Sequence, residues 1–174
     1  MKRSAVDPMP EYFDRYINKC DDTELLTSIQ TSIDELDNLP VDKWKALGDK
    51  VYSPGKWTVK DILQHLIDTE RIFSYRALAF ARSETQLLPS FSEDEYARSA
   101  NATTRTIEQL VDELRATHLS VKLLYESFTP VLLGKMGKGF KGAYSVASIG
   151  FILPGHQRWH FDVLKEKYYP LLNT

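Results

Sequence analysis

Trp57-Thr58-Val59-Lys60-Asp61-Ile62-Leu63-Gln64-His65-Leu66 is the stretch whose reading decides the fold. Thr58 offers a hydroxyl to a free backbone N–H at the start of a helix, and Asp61, three residues on, can accept from the Thr58 amide in return. Trp57 and Ile62 bracket the pair as a hydrophobic staple. The helix that begins here is predicted to run to about Arg82, with Ile62, Leu63, His65, Leu66, Thr69, Ile72, Phe73 and Arg76 on neighbouring inward rows. His65 therefore lies two turns inside a well-specified helix.

Upstream, Asp21 and Glu24 have the spacing of a cap, and Leu25, Leu26, Ile29, Ile33, Leu36 and Leu39 recur at helical intervals, predicting a helix from about Asp22 to Asn38. Pro40 closes it, and Val41 to Gly55 reads as a connector with one short turn around Trp44. Met1 to Pro10 reads as a loose arm, with Tyr12, Phe13, Tyr16 and Ile17 the first residues able to dock on a core.

Downstream, Ser83 to Thr104 turns polar around Pro89 and a cap-like Ser92-Glu93-Asp94-Glu95. A helix of about 25 residues is roughly 37 Å long, a span that some 20 extended residues cover with slack. This crossover can return to the end from which the Thr58 helix started, and it serves either as a lid or as a plain connector. Thr106 and Gln109 then cap a third helix carrying Ile107, Leu110, Val111, Leu114, Val121, Leu124, Tyr125 and Phe128, before Pro130. Leu133 to Gly142 is rich in Gly and Lys, but it lacks the Gly-Lys-Ser/Thr ending of a phosphate loop and is expected to be a mobile connector. Ser145 caps a last helix reaching about Tyr168, in which Pro154 removes a donor and predicts a kink. Four long helices with almost no alternating pattern predict an all-α, four-helix bundle. It would be a single domain over residues 1–174 in up-down-down-up order, with a long crossover between helices two and three.

The 174 residues suit one unified core, and the net charge of −2, with acids and bases interspersed, gives no basic stripe for nucleic acid. Cys20 is the only cysteine, which excludes an internal disulfide and fits a reducing compartment. The first ten residues lack the apolar centre of a signal peptide, and no apolar run is long enough for a membrane span. The expectation is a cytoplasmic protein acting on a small molecule.

Gly155-His156-Gln157-Arg158-Trp159-His160 carries two of the four histidines one helical turn apart, where both project from one face. Together with His65 they would give three imidazoles from two helices, enough to hold a divalent ion and leave a position open. The same spacing also arises by chance on amphipathic helices, and buried histidines are often simply hydrogen-bonded. His118, on the stripe between Leu114 and Val121, is either a core-edge residue or a fourth ligand. Asp68, one turn after His65, is the candidate to accept the other ring N–H of a ligating histidine. Asp61 is accounted for by its cap, and Glu70 and Arg71 by ion pairing or packing. Trp57, Trp159, Tyr75, Phe73 and Phe80 are either core or the wall of an apolar pocket.

The segments Tyr52 to Leu78, Ala81-Arg82, Leu88-Pro89-Ser90-Phe91 and Gly155 to His160 resemble the DinB-like superfamily, over nearly the whole chain from about Glu11 to Lys165. The resemblance implies an up-down-down-up bundle with a three-histidine metal site, its ligands falling on His65, His156 and His160. His118 matches no ligand of the family. It also implies a divalent metal ion, zinc or nickel, and an activity among the metal-dependent hydrolases or the S-transferases that use a low-molecular-weight thiol such as bacillithiol or mycothiol. A homodimer is implied as well, and nothing in the resemblance implies nucleic acid or membrane binding.

Overall fold

The computed structural model describes residues 1–139 and 141–173; Phe140, in the expected Leu133 to Gly142 connector, and Thr174, the end of the expected domain, lie outside the described residues. The described chain forms eight α-helices: α1 (Asp14–Ile17), α2 (Leu25–Asp34), α3 (Val41–Leu47), α4 (Val59–Ala81), α5 (Glu93–Ala100), α6 (Ile107–Glu126), α7 (Pro130–Leu133) and α8 (Val146–Val163). Four of them, α2, α4, α6 and α8, make the bundle.

The capping chemistry fixes most helix starts. Thr58 accepts from the Asp61 amide while Asp61 accepts from the Thr58 amide, and Thr106 with Gln109 does the same for α6. Ser92 caps α5 and Ser145 caps α8. At α2 the expected cap fails: the N-cap is Glu24, without a side-chain bond, and the last turn tightens to 3-10 at Glu35–Asn38. Acidic residues there are drawn to the N-terminal segment instead. Met1 forms an ion pair with Glu24, and the Ser4 amide donates to Asp22 at 2.8 Å. The predicted loose arm is thus held against the body, with Val6 buried.

Side-chain contacts give the helix directions. Along α4 and α6, Gln64 meets Arg105, Arg71 meets Glu113 and Glu70 meets His118, so residue numbers rise together and the two helices are parallel. Tyr144 packs on Phe80 while Tyr168 donates to the Trp57 carbonyl, so α8 runs antiparallel to α4. Leu25 lies beside Gly150 and Gln157 bonds to Ser32, so α8 is parallel to α2. The result is the up-down-down-up four-helix bundle.

One element departs from the all-α expectation. The Gly- and Lys-rich stretch forms an antiparallel hairpin, β1 (Met136–Gly139) with β2 (Gly142–Ser145). Two of its glycines are there for packing: a Cβ on Gly137 would lie 1.9 Å from the Phe80 ring and one on Gly139 2.3 Å from the Tyr144 hydroxyl. The hairpin also receives the crossover, the Leu88 amide donating to the Lys138 carbonyl at 3.2 Å. Arg76, 1% exposed, holds the same segment by donating to the Pro89 carbonyl and the Tyr144 hydroxyl.

The core has two apolar halves. One gathers Phe13, Ile17, Leu25, Ile29, Phe73, Phe80, Tyr144 and Phe151, and the other Trp44, Leu47, Leu63, Ile67, Leu110, Leu114, Leu164 and Tyr168. Between them each long helix contributes buried polar residues: Ser32 from α2, His65, Thr69 and Glu70 from α4, His118 from α6, and His156, Gln157 and His160 from α8.

The helical assignment of α8 continues without a break through Pro154. What seats its middle is Gly155, where a Cβ would lie 1.9 Å from the Tyr16 carbonyl oxygen of α1. Gly155→Ala is therefore expected to cost about 1–3 kcal/mol by overpacking against backbone that has nowhere to go. Urea denaturation checks this, and an unchanged midpoint would deny the close approach.

Candidate metal centre

His65 enters the buried layer from α4, and His156 and His160 from successive turns of α8. Their Nε2 atoms converge: His156 lies 3.2 Å from His65 and 3.0 Å from His160, and one nitrogen from each ring falls within 4.8 Å of the others. The rings are held by neighbours, Trp57 tilted against His65 and Tyr16 edge to face against His156. Burial depresses all three basicities, His65 to about 4 and His160 to about 3, with His156 held well below the usual range by burial and by the other two rings. Near neutral pH these are uncharged imidazoles. Each Nε2 then carries either one proton or one lone pair, and no choice of tautomers lets His156 make a linear hydrogen bond to both partners. A cation accepting three lone pairs resolves that conflict, and the donor set suits one. Nitrogens about 2.0–2.1 Å from a tetrahedral ion stand about 3.3 Å apart, which the two short separations approach.

The carboxylate expected to accept the other ring N–H of His65 is not where the sequence put it. Asp68 accepts from Gln64 at 2.9 Å, and its carboxyl, pushed up by burial, faces the groove beside Tyr96 and Ser99. Three residues turn the helix by about 300°, so Asp68 stops about 60° short of the face that carries His65. The group beside His65 Nδ1 is the Thr69 hydroxyl at 3.5 Å. Of the aromatics singled out, Trp57 and Trp159 line the cavity at the histidines and Phe73 an adjoining one, while Phe80 is core and Tyr75 is 58% exposed.

His118 is neither a ligand nor a core-edge residue. The Gln157 amide nitrogen donates to the Ser32 carbonyl and to Glu35, both at 3.0 Å, which turns its oxygen toward His118 Nε2 at 2.6 Å. Nε2 must then donate, leaving Nδ1 to face the Glu70 carboxylate at 2.5 Å. Burial works against a charge on His118, but Glu70, Gln157 and Glu35 outweigh it and raise its pKa above the ordinary value. Arg158 continues the chain to Glu35 at 2.7 Å. Sequence reasoning gave Glu70 an ion pair or a packing role, and the ion pair is found, with His118 as the partner it did not name; it passed over Gln157. The available signal was a polar residue at an inward position of each apolar stripe.

Two cavities open at the histidines. One of about 400 Å³ is bounded by Tyr16, Trp57, His65, His156, Trp159 and His160, the other of about 290 Å³ by Phe13, Thr69, Phe73, Phe91, Ile152 and His156. Tyr12, Tyr16, Glu93, Asp94 and His156 belong to both. The crossover therefore supplies part of the site wall through α5.

Two outcomes follow for stability. Glu70→Ala strands a buried imidazolium and is expected to cost about 3–5 kcal/mol in urea denaturation at pH 6, where the pair is intact. The contribution of the pair is complete below about pH 6.5 and fades as pH rises through the raised His118 value. The converging histidines have the opposite sign: between about pH 6.5 and the folded values of about 4 and 3, the unfolded chain takes up protons that the folded one refuses. Chelator-treated protein should lose urea stability on acidification through that window, and His160→Asn should flatten the slope.

The fold agrees with what the chain resembles. No relative among curated proteins matches. The solved structure of YfiT from Bacillus subtilis, described as a probable metal-dependent hydrolase with an unusual four-helix bundle topology, superposes with a TM-score of 0.70 at 15% identity, over 95% of this chain and 91% of that one. At that identity the likeness speaks for the fold. The profile of the DinB superfamily matches residues 10–164, and the chain belongs to that superfamily.

Proposed function

We propose that this protein is a metal-dependent enzyme in which His65, His156 and His160 hold a divalent ion, zinc or nickel, and that it transfers a low-molecular-weight thiol to a small electrophile. The observation that carries the reading is the convergence of three buried, neutral Nε2 atoms whose hydrogen-bonding needs no tautomer satisfies. An ion bound there would act as a Lewis acid, lowering the pKa of a thiol or water brought to its open side. The protein's own part is to exclude water with Trp57, Tyr16 and Trp159, to keep the imidazoles neutral by burial, and to orient two reactants.

Thiol transfer is favoured over hydrolysis by the paired cavities. Two spaces of about 400 and 290 Å³ meeting at His156 give a thiol and an electrophile separate places, whereas hydrolysis needs one organic substrate only. Hydrolysis is the second reading, supported by the description given to YfiT. Substrates are small molecules: the net charge of −2 offers nucleic acid no complementary face, and none of the described helices is long and apolar enough to cross a membrane. Cys20, buried with its thiol donating to the Phe151 carbonyl, is compatible with the cytoplasm. A homodimer through helix faces would use Leu119 and Leu123, one turn apart on α6 and 45% and 67% exposed.

Bound metal, measured by elemental analysis after dialysis, should be about one ion per chain and should fall to background in His65→Ala, His156→Ala and His160→Ala. Metal kept by all three variants would sink the site. Turnover of the loaded protein against thiol and electrophile pairs, and against esters and amides, separates the two reactions: activity on esters or amides with none toward any thiol makes it a hydrolase.

A further inference from the structure

We propose that the smaller cavity is the seat of an uncharged aryl electrophile, with Phe91 of the crossover as the residue that sets its fit, and that the nucleophile enters by the larger cavity. The inference rests on the function proposed above and names the class of its second substrate. Among the described residues, His65, His156 and His160 all border the larger cavity, whereas His156 alone borders the smaller. A nucleophile that must touch an ion held by all three imidazoles therefore comes from the larger space. The carbon it attacks is presented from the other side of His156.

The apolar wall of the smaller cavity comes from separate elements: Phe13 at the start of α1, Phe73 on α4, Phe91 on the crossover and Ile152 on α8. Phe13, Phe73 and Ile152 are buried core residues, and the Phe13 and Phe73 rings meet edge to face at 5.6 Å while both pack on Tyr144. Phe91 is half-buried, and its position is set locally. It precedes Ser92, the N-cap of α5, and its ring lies 5.0 Å from that of Tyr96, the pairing of a hydrophobic staple. Pro89, two residues earlier, is held by Arg76 at 3.0 Å. Phe91 also borders an outer groove with Ile72, Tyr75 and Leu88, so its ring stands between the cavity and the surface.

Three phenyl walls suit an aromatic ring, which they can meet edge to face, and the apolar lining favours a substrate that leaves water behind. At about 290 Å³ the space is roughly twice that of an apolar cavity that takes up benzene, room for one ring with small substituents. Charge selects in the same direction. Glu93 and Asp94 border both cavities; Arg15 and Lys56 balance them in the larger, but among the described residues the smaller has Lys141 alone to set against the pair, which disfavours an anionic electrophile there. In the transfer the sulfur forms its bond to the ring carbon with its own electron pair. The bond from that carbon to the leaving group breaks, the leaving group departs with its electrons, and the thiol proton goes to solvent.

The test titrates 1,3-dinitrobenzene, an aryl compound without a leaving group, into wild type, Phe91→Ala, Phe91→Leu and Tyr52→Ala by calorimetry, with and without bound metal. Tyr52 borders the larger cavity and not the smaller. Wild type should bind about one equivalent in either metal state, Phe91→Ala about tenfold more weakly and Tyr52→Ala within about twofold of wild type. Phe91→Leu keeps apolar bulk without the ring and should fall between, which carries the test if the urea midpoint shows that Phe91→Ala is unfolded. Saturating 2-mercaptoethanol should not displace the ligand from loaded protein. In turnover with that thiol, Phe91→Ala should raise KM for 1-chloro-2,4-dinitrobenzene about tenfold with little change in kcat, and should leave iodoacetamide, which has no ring, within about twofold. Absence of binding to wild type, equal affinity in wild type and the Phe91 variants, loss of binding in Tyr52→Ala, or displacement by the thiol overturns the seating and leaves the metal enzyme standing. Wild type that holds no ion and turns over no thiol, yet binds dinitrobenzene through Phe91, overturns the proposed function and keeps the aryl site.

Discussion

The bundle is built around a layer that hydrophobic burial by itself would never select. Glu70, His118 and Gln157 are buried between two apolar halves, hydrogen-bonded in a line that touches α4, α6, α8 and α2. Such a chain adds little stability over a well-packed apolar layer, but each member costs several kcal/mol if its partner is displaced. It therefore penalises sliding of the helices past one another. Gln157 is the residue after His156, so the register enforced at Gln157 is passed along one peptide bond to the histidine. The three-histidine cluster lies in the same layer and inherits its precision.

The outer wall of the site has another origin. The crossover between α4 and α6 has to travel the length of the bundle to keep those helices parallel, and on the way it is tied to the hairpin and to Arg76. That path lays the first turn of α5 across the open side of the histidines. A connection made necessary by topology thus brings the acidic residues that the bundle helices do not supply. On the opposite side Gly155 lets the backbone of α1 approach α8, which carries Tyr16 against His156.

Much of this was legible in local sequence. The Thr58/Asp61 and Thr106/Gln109 boxes, the Ser92 and Ser145 caps, the helical stripes and the length of the crossover predicted the bundle and its order, because each depends on neighbours within a turn or on chain length. The same locality let the spacing of His156 and His160 be read as a shared face. It failed where a residue had a choice of distant partners. The acids near Glu24 went to the N-terminal segment in preference to a cap, Asp68 went to Gln64, and the Gly-rich connector paired with itself as a hairpin.

By itself, then, the sequence determined the four bundle helices, the starts of three of them at Thr58, Thr106 and Ser145, the order in which they can pack, and which three histidines were candidates to meet. Tertiary structure alone decided that they do converge, with Nε2 separations of 3.0 and 3.2 Å on the two short sides, that His118 is consumed by Glu70 and Gln157, and that Glu93 and Asp94 border the cavities. The physical reason is range. Capping and periodicity act over three or four residues, whereas burial, hydrogen-bond satisfaction and the pKa values of the site depend on side chains brought together from 39 to 125 positions apart.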